Sequence, residues 1–346
     1  DTGCAYITGS IDSTSIVLPP ETIYQETLAG GKDAFIAKFS ADGTQLEYFT
    51  YFGGAYDDIA RGIAVNSNYQ ASITGYTDSS DLPVLNAYQA TKSNCTDAFV
   101  ARISADGSTL LGSTYFGGNE TDRAYGIALD PSLQRMVITG GSSSDDLPMT
   151  ASLGTPYQAT RTGSSDAFVA CVYDDLYISS YLGGAQNDVG YAIDLDSDFN
   201  IFITGTTRSL LFNTTASAFR KSLRGEQDAF ITKFDPTASN LVYSTYLGGL
   251  EYDGGRGIAV DAAGDAYVTG FTDSPTIPLS YTFPLKNPYQ STYGGGSSSS
   301  LHYGDAFITK MSNDGQSLNY STYLGGRANE VGYAIAVDNL TRAHVT

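Results

Sequence analysis

The chain has 346 residues, with 37 acidic against 18 basic side chains for a net charge of −19, 16% charged residues, 26 Tyr, 16 Phe, no Trp and 38 Gly. That length carries one large or two ordinary domains with a buried core, and the acidic excess repels nucleic acid and anionic membrane faces over most of the surface. No apolar run reaches the roughly 18 residues that a membrane helix needs, so membrane insertion is not expected either.

In chain order, AYITG (5–9) reads as a first strand. DAFIAKF, from Asp33, is a second, and the turn SADG (40–43) leads into the aromatic strand that ends in FTYFGG (49–54). RGIAV (61–65) is short and apolar, with Ile63 and Val65 on one face and Gly62 and Ala64 on the other. ASITG (71–75) closes the cycle, which then recurs. DAF returns at Asp97, Asp166, Asp228 and Asp305, at spacings of 64, 69, 62 and 77 residues. The aromatic-Gly-Gly phrase returns as STYFGG (113–118), SSYLGG (179–184) and STYLGG (244–249 and 321–326). Each is followed by a GIAV-type and an ITG-type phrase, the last at 343–346. Between ITG and the next DAF runs a variable Ser/Thr/Pro-rich loop, longest at 271–304.

Short antiparallel strands in fours, repeated, predict an all-β chain, a β-propeller of four-stranded blades. The expected order within a blade is GIAV innermost, ITG next, DAF third and the Tyr strand outermost. The glycine doublet supplies positive φ or close backbone approach and acts as a hinge that returns the chain to the next blade. We read 1–346 as one repeat domain with units 55–118, 119–184, 185–249 and 250–326, and partial units at 1–54 and 327–346. The phrases total 21 strands, five repeats plus one extra strand. Either a five-bladed ring closes by lending the last GIAV strand to the first blade and leaves one ITG strand over, or a larger ring or array has been cut from a longer chain. Both ends fall inside a repeated strand, which favours the excerpt. A surplus strand offers an edge to a neighbouring subunit.

The stretch DAFITKMSNDGQSLNYSTYLGGRANEVGYAIAVD (305–338) resembles the SBBP family, a β-propeller repeat of large secreted, mostly bacterial proteins. DLP…AYQ (81–89), DLP…PYQ (146–158) and FPLKNPYQ (283–290) resemble that family's blade connections. The resemblance implies a propeller, usually seven-bladed, placed outside the cell or on its surface. It implies no enzyme activity and no fixed ligand. The units here are longer, and VYDDLYISS (172–180) lacks the DG turn.

An acidic residue follows each glycine doublet by four positions: Asp58, Asp122, Asp188, Asp253 and Glu330. These are either calcium ligands or an acidic channel mouth, or carboxylates capping backbone N–H groups. Recurrence in every repeat favours caps, and the DAF aspartates are read the same way. Calcium is the one candidate cofactor. His344 takes a slot held elsewhere by Tyr6, Val137, Phe202 and Tyr267, so it is expected to pack in a strand, and His302 lies in the longest loop. No triad assembles, and no carboxylate pair is marked out for glycoside hydrolysis, so no catalytic residue is assigned. Sequons fall at Asn94, Asn119, Asn213, Asn319 and Asn339 as candidate glycosylation sites. Cys4, Cys95 and Cys171 are odd in number and none is in a C-x-x-C pair, which leaves one disulfide plus a third thiol with the pairing open. The expectation is a non-enzymatic extracellular or cell-surface structural or adhesive protein, a subunit of a fibre or sheath, with itself or other extracellular proteins and glycans as partners. The alternative is a glycan- or protein-binding module using loop aromatics such as Tyr88, Tyr157, Tyr281 and Tyr289. A propeller hydrolase ranks third.

Overall fold

A computed structural model describes residues 3–14, 23–130, 135–150, 152–172, 174–275, 282–295 and 304–346, and its named elements are all strands. The first sheet holds β1 (Ala5–Ile11), β2 (Asp33–Phe39) and β3 (Leu46–Phe52). The second holds β4 (Asp58–Val65), β5 (Ala71–Thr77), β6 (Asp97–Ile103) and β7 (Leu110–Phe116). The third holds β8 (Asp122–Asp130), β9 (Arg135–Ser142), β10 (Asp166–Val172) and β11 (Leu176–Leu182). The fourth holds β12 (Asp188–Leu195), β13 (Ile201–Thr207), β14 (Asp228–Phe234) and β15 (Leu241–Leu247). The fifth holds β16 (Asp253–Val260), β17 (Ala266–Thr272), β18 (Asp305–Met311) and β19 (Leu318–Leu324), and β20 (Ile335–Val337) and β21 (Ala343–Val345) form a two-stranded sheet. Each four-stranded sheet is hydrogen-bonded in the order GIAV, ITG, DAF, Tyr strand, the blade order of a β-propeller repeat.

The chain divides into two compact units, 1–152 with 169–179, and 153–168 with 180–346. In the first, β4 packs against β8; in the second, β12 packs against β16 and β16 against β20. Within each unit GIAV strands of successive sheets therefore meet, which is why one face of such a strand must be small. The core lies between sheets: Ile36, Tyr48 and Phe52 of the first join Ala60, Ile73 and Phe99 of the second. In the other unit Ile231, Tyr243 and Leu247 join Val268, Phe307 and Tyr323. Burial on both faces explains why β14 and β17 are enclosed along their whole length.

Local signals set the rest. The DG turns place Gly43, Gly107 and Gly315 at positive φ (70°, 77° and 68°), the conformation such turns require of glycine. The Thr of four ITG phrases bonds the carbonyl of the DAF phenylalanine: Thr8 to Phe35 (2.6 Å), Thr74 to Phe99 (2.8 Å), Thr204 to Phe230 (2.7 Å) and Thr269 to Phe307 (2.7 Å). The Tyr of the STYFGG phrase pins the loop after its own ITG strand: the Tyr115 hydroxyl donates to Ser79 O and accepts from Leu82 N, both at 2.9 Å. Loop residues also bridge to the outer strands, Leu85 to Ser113 and Lys286 to Ser321, so those edges are covered.

The last GIAV strand pairs with the ITG strand that follows it, Ile335 opposite Val345, and does not complete another sheet. His344 departs from expectation. Its counterparts Tyr267 and Phe202 are enclosed, but His344 is exposed and its Nε2 lies 3.4 Å from Asp338 Oδ2.

Candidate functional site

The polar side chains gather where one sheet hands the chain to the next. Asp33 Oδ2 accepts from Ala29 N and Gln25 Nε2, both at 2.8 Å, and its Oδ1 accepts from Gly30 N at 3.1 Å. Gln25 Oε1 takes the Gly53 N–H at 3.1 Å. The next N–H, of Gly54, donates to Asp58 Oδ2 at 2.7 Å, and Ser79 Oγ donates to the same oxygen at 2.9 Å. The doublet's glycines have no positive φ; they are required by space. A β-carbon on Gly53 would lie 2.5 Å from Asp33 Cγ and 2.8 Å from Asp58 Oδ2.

The same junction recurs. Gln89 links Asp97 to Gly117 N, Gln158 links Asp166 to Gly183 N, and Gln290 links Asp305 to Gly325 N. Asp122, Asp188 and Asp253 cap Gly118, Gly184 and Gly249 N at 2.7, 2.7 and 2.6 Å, and each also accepts a serine hydroxyl, from Ser144, Ser209 and Ser274. Glu330 Oε2 caps Gly326 N at 3.0 Å. In the fourth junction Arg220 stands where the others have Gln, and its Nη1 donates to Gly248 O.

These carboxyls sit in a poor place for charge. Asp58, Asp122, Asp188 and Asp253 are fully enclosed, and among the described residues Oδ1 of each has no hydrogen-bond partner. Burial pushes Asp58, Asp122 and Asp188 up to about 6 against the bonds from glycine N–H and hydroxyl groups, and the facing DAF carboxylate adds to the rise. Asp253 is raised well above its ordinary value by burial and by Asp228, which is itself raised by burial. Among the described residues no three His, Cys, Asp or Glu side chains are grouped to hold a metal. What the junction does chemically is accept N–H and O–H donors.

Other predicted positions are dispersed. Asn94 and Asn339 are exposed. Asn119 donates to Asp146, Asn319 donates to Asp265 Oδ2 at 3.0 Å, and the half-buried Asn213 amide donates to Gln158 Oε1 (3.0 Å) and Gly183 O (3.3 Å). All three cysteines are free thiols, Cys4 and Cys95 half-buried and Cys171 buried, where burial raises the thiol to about 12. Tyr289 is 91% exposed and Tyr88 39%, whereas Tyr157 is half-buried, its ring 5.8 Å from that of Phe234. Tyr281 and His302 lie outside the described residues.

Residues 242–275, from the Tyr strand through the glycine doublet to the end of the ITG strand, match the SBBP family, described as a beta-propeller repeat. No curated protein matches the chain. Among solved structures it is similar to the Dos1 propeller, at 7% identity and a TM-score of 0.39, over 93% of this chain and 73% of that one. It is also similar to Sqt1 of Chaetomium thermophilum, at 8% identity and a TM-score of 0.37, over 96% of this chain and 87% of that one.

Proposed function

We propose that the chain is a non-enzymatic structural or adhesive module of an extracellular or cell-surface protein, working through association with itself or with other surface proteins and glycans. One observation carries the reading: the polar groups best suited to chemistry, the paired carboxylates of each junction, are spent on backbone N–H groups in every repeat. Scaffold needs recur with the repeat, whereas a catalytic centre breaks its symmetry. The one junction that departs, at Arg220, has Asp228 and Asp253 sealed from solvent. No cofactor is needed in this reading; because one oxygen of each capping carboxylate is taken by donors and no three acidic, His or Cys side chains are grouped among the described residues, chelation with EDTA is expected to leave the melting temperature unchanged.

A second reading, a glycan- or protein-binding module, is favoured by the apolar loop residues Leu210, Leu211 and Tyr289, at 72%, 84% and 91% exposure. Protease treatment of intact source cells, with imaging of the native particle, separates the readings. A structural role predicts surface-accessible protein in filaments or arrays. Dispersed particles whose melting temperature rises with added sugar support the binding module, and protein found only inside cells rules out both.

A further inference from the structure

Each complete GIAV strand carries a β-bulge at one point, between Ala60 and Gly62, Ala124 and Gly126, Gly190 and Ala192, and Gly255 and Gly257. The residue left without a ladder partner is Arg61, Tyr125, Tyr191 or Arg256. The glycine of the neighbouring ITG strand permits the bulge: a β-carbon on Gly75 would collide with Ile59 O, and Gly140, Gly205 and Gly270 meet the same obstruction. Bulges re-aim side chains. In the first unit the result is a cluster drawn from three strands.

Tyr76 is its centre. The Arg61 guanidinium lies 5.6 Å from the Tyr76 ring centroid and Arg123 lies 5.0 Å from it, while Arg61 Nη2 donates to the Tyr76 hydroxyl at 3.0 Å. The Tyr125 ring stands edge-on to Tyr76 at 6.4 Å. Both arginines are exposed, and neither forms an ion pair among the described residues. The strand lysines that stack on a ring also hold a carboxylate: Lys38 lies over Tyr6 and 2.8 Å from Glu47, Lys233 over Phe202 and 3.2 Å from Asp196, and Lys310 over Tyr267 and 2.8 Å from Asp261. In a chain with twice as many acids as bases, two arginines share one aromatic ring and neither is ion-paired among the described residues.

We propose that Arg61 and Arg123, arrayed about Tyr76, bind an oxyanion: a carboxylate, sulfate or phosphate group carried by a soluble ligand. Guanidinium presents a planar fork of donors matched to such groups. Arg61 spends one donor on Tyr76 and keeps the rest, so the phenol holds the fork while the anion takes what is left. The second unit provides an internal contrast. Arg256 stacks on Tyr191 at 3.9 Å with Phe271 beyond it, a single cation where the first unit has two. The inference is independent of the structural role proposed above, since a scaffold can carry a ligand site.

The test is titration of the whole chain with sodium glucuronate, sulfate and phosphate at constant ionic strength, read by calorimetry and by NMR of the arginine Nε–H and Tyr76 ring signals. At least one of the three is expected to bind saturably, at about 0.1–10 mM for so small a group, and the responding anion names the source. Arg61→Gln with Arg123→Gln should weaken it at least tenfold, Arg61→Lys with Arg123→Lys several-fold, and Arg256→Gln should have no effect. Melting temperatures of the exposed-site variants should stay close to the parent's, which separates lost binding from lost folding. Absence of saturable binding by all three anions, or binding indifferent to the paired Gln variants, overturns the proposal.

Discussion

The carboxylates of Asp33 and Asp58 flank Gly53 so closely that a β-carbon there would meet both, at 2.5 Å from one (Cγ) and 2.8 Å from the other (Oδ2). The same wedge recurs at Gly117 between Asp97 and Asp122, at 2.7 and 3.0 Å. The glycine is therefore a spacer between two like-charged groups that must approach without a side chain between them. Gly53→Ala or Gly117→Ala is expected to destabilise the fold by about 1–3 kcal/mol, the usual cost of forcing a methyl into a closed site. Gly112→Ala is the control: the nearest atom to its β-carbon would be Leu85 O at 3.7 Å, so the change should be neutral or slightly stabilising. Urea midpoints at constant slope decide the matter, and equal midpoints for the wedge and control variants would refute the spacer role.

Stability should rise as the solution is acidified from neutral toward pH 5. Asp58, Asp122 and Asp188 have carboxyls raised from 3.8 to about 6 by burial, so the folded chain holds their protons more tightly than the unfolded chain does. Their contribution is complete below the unfolded value and is lost as pH climbs through 6, by roughly 1–3 kcal/mol for each carboxyl. Asp42 acts oppositely, because Ser40 and Thr44 hold it at about 2, but only below its ordinary value of 3.8. A denaturation midpoint that falls between pH 5 and 7.5, with a shallower fall in Asp58→Asn, is the expected result. A midpoint that rises over that range would show that these carboxyls are stabilised as anions.

The strands and their order were legible because each phrase has its own side-chain pattern and recurs with the repeat. The junction was legible only in part. Asp58 and its counterparts stood out by their constant distance from the doublet, but the Gln that joins Asp33 to Gly53 lay in a segment read as variable loop. The signal was present: Gln25, Gln89 and Gln158 each precede the DAF aspartate by eight residues, as Arg220 precedes Asp228. The longer loop before Asp305 hides the same relation at Gln290. The cluster at Arg61 could not be read at all, because a bulge is a property of register, and the one-residue shift between Ala60 and Gly62 has no local composition of its own.

In a host that glycosylates asparagine, occupancy should divide by what each amide already does. Asn94 and Asn339 are exposed. Asn213 is half-buried and donates to both Gln158 and Gly183 within a junction, so a glycan there competes with the fold. Peptide mapping by mass spectrometry is expected to find sugar at Asn94 and Asn339 and little at Asn213. Full occupancy at Asn213 in folded protein would show that its junction bonds are dispensable.

The four Gln-containing junctions and the single Arg-containing one make a natural exchange experiment. Gln89 links Asp97 and Gly117, so Gln89→Ala strands the Gly117 N–H and leaves Asp97 Oδ2 with the Ser93 N–H alone, at an expected cost of about 1–3 kcal/mol. At the fourth junction burial lowers the Arg220 pKa, the sign of a guanidinium that gains little from its site. Arg220→Gln restores the side chain that the other four junctions use, with an N–H for Asp228 and a carbonyl for Gly248 N. It should therefore be neutral or stabilising, within about 1 kcal/mol, whereas Arg220→Ala should lose stability as Gln89→Ala does. A large loss in Arg220→Gln, seen as a lower denaturant midpoint, would mean that Arg220 holds the Asp228–Asp253 pair through its charge and that the fourth junction is built on a different principle.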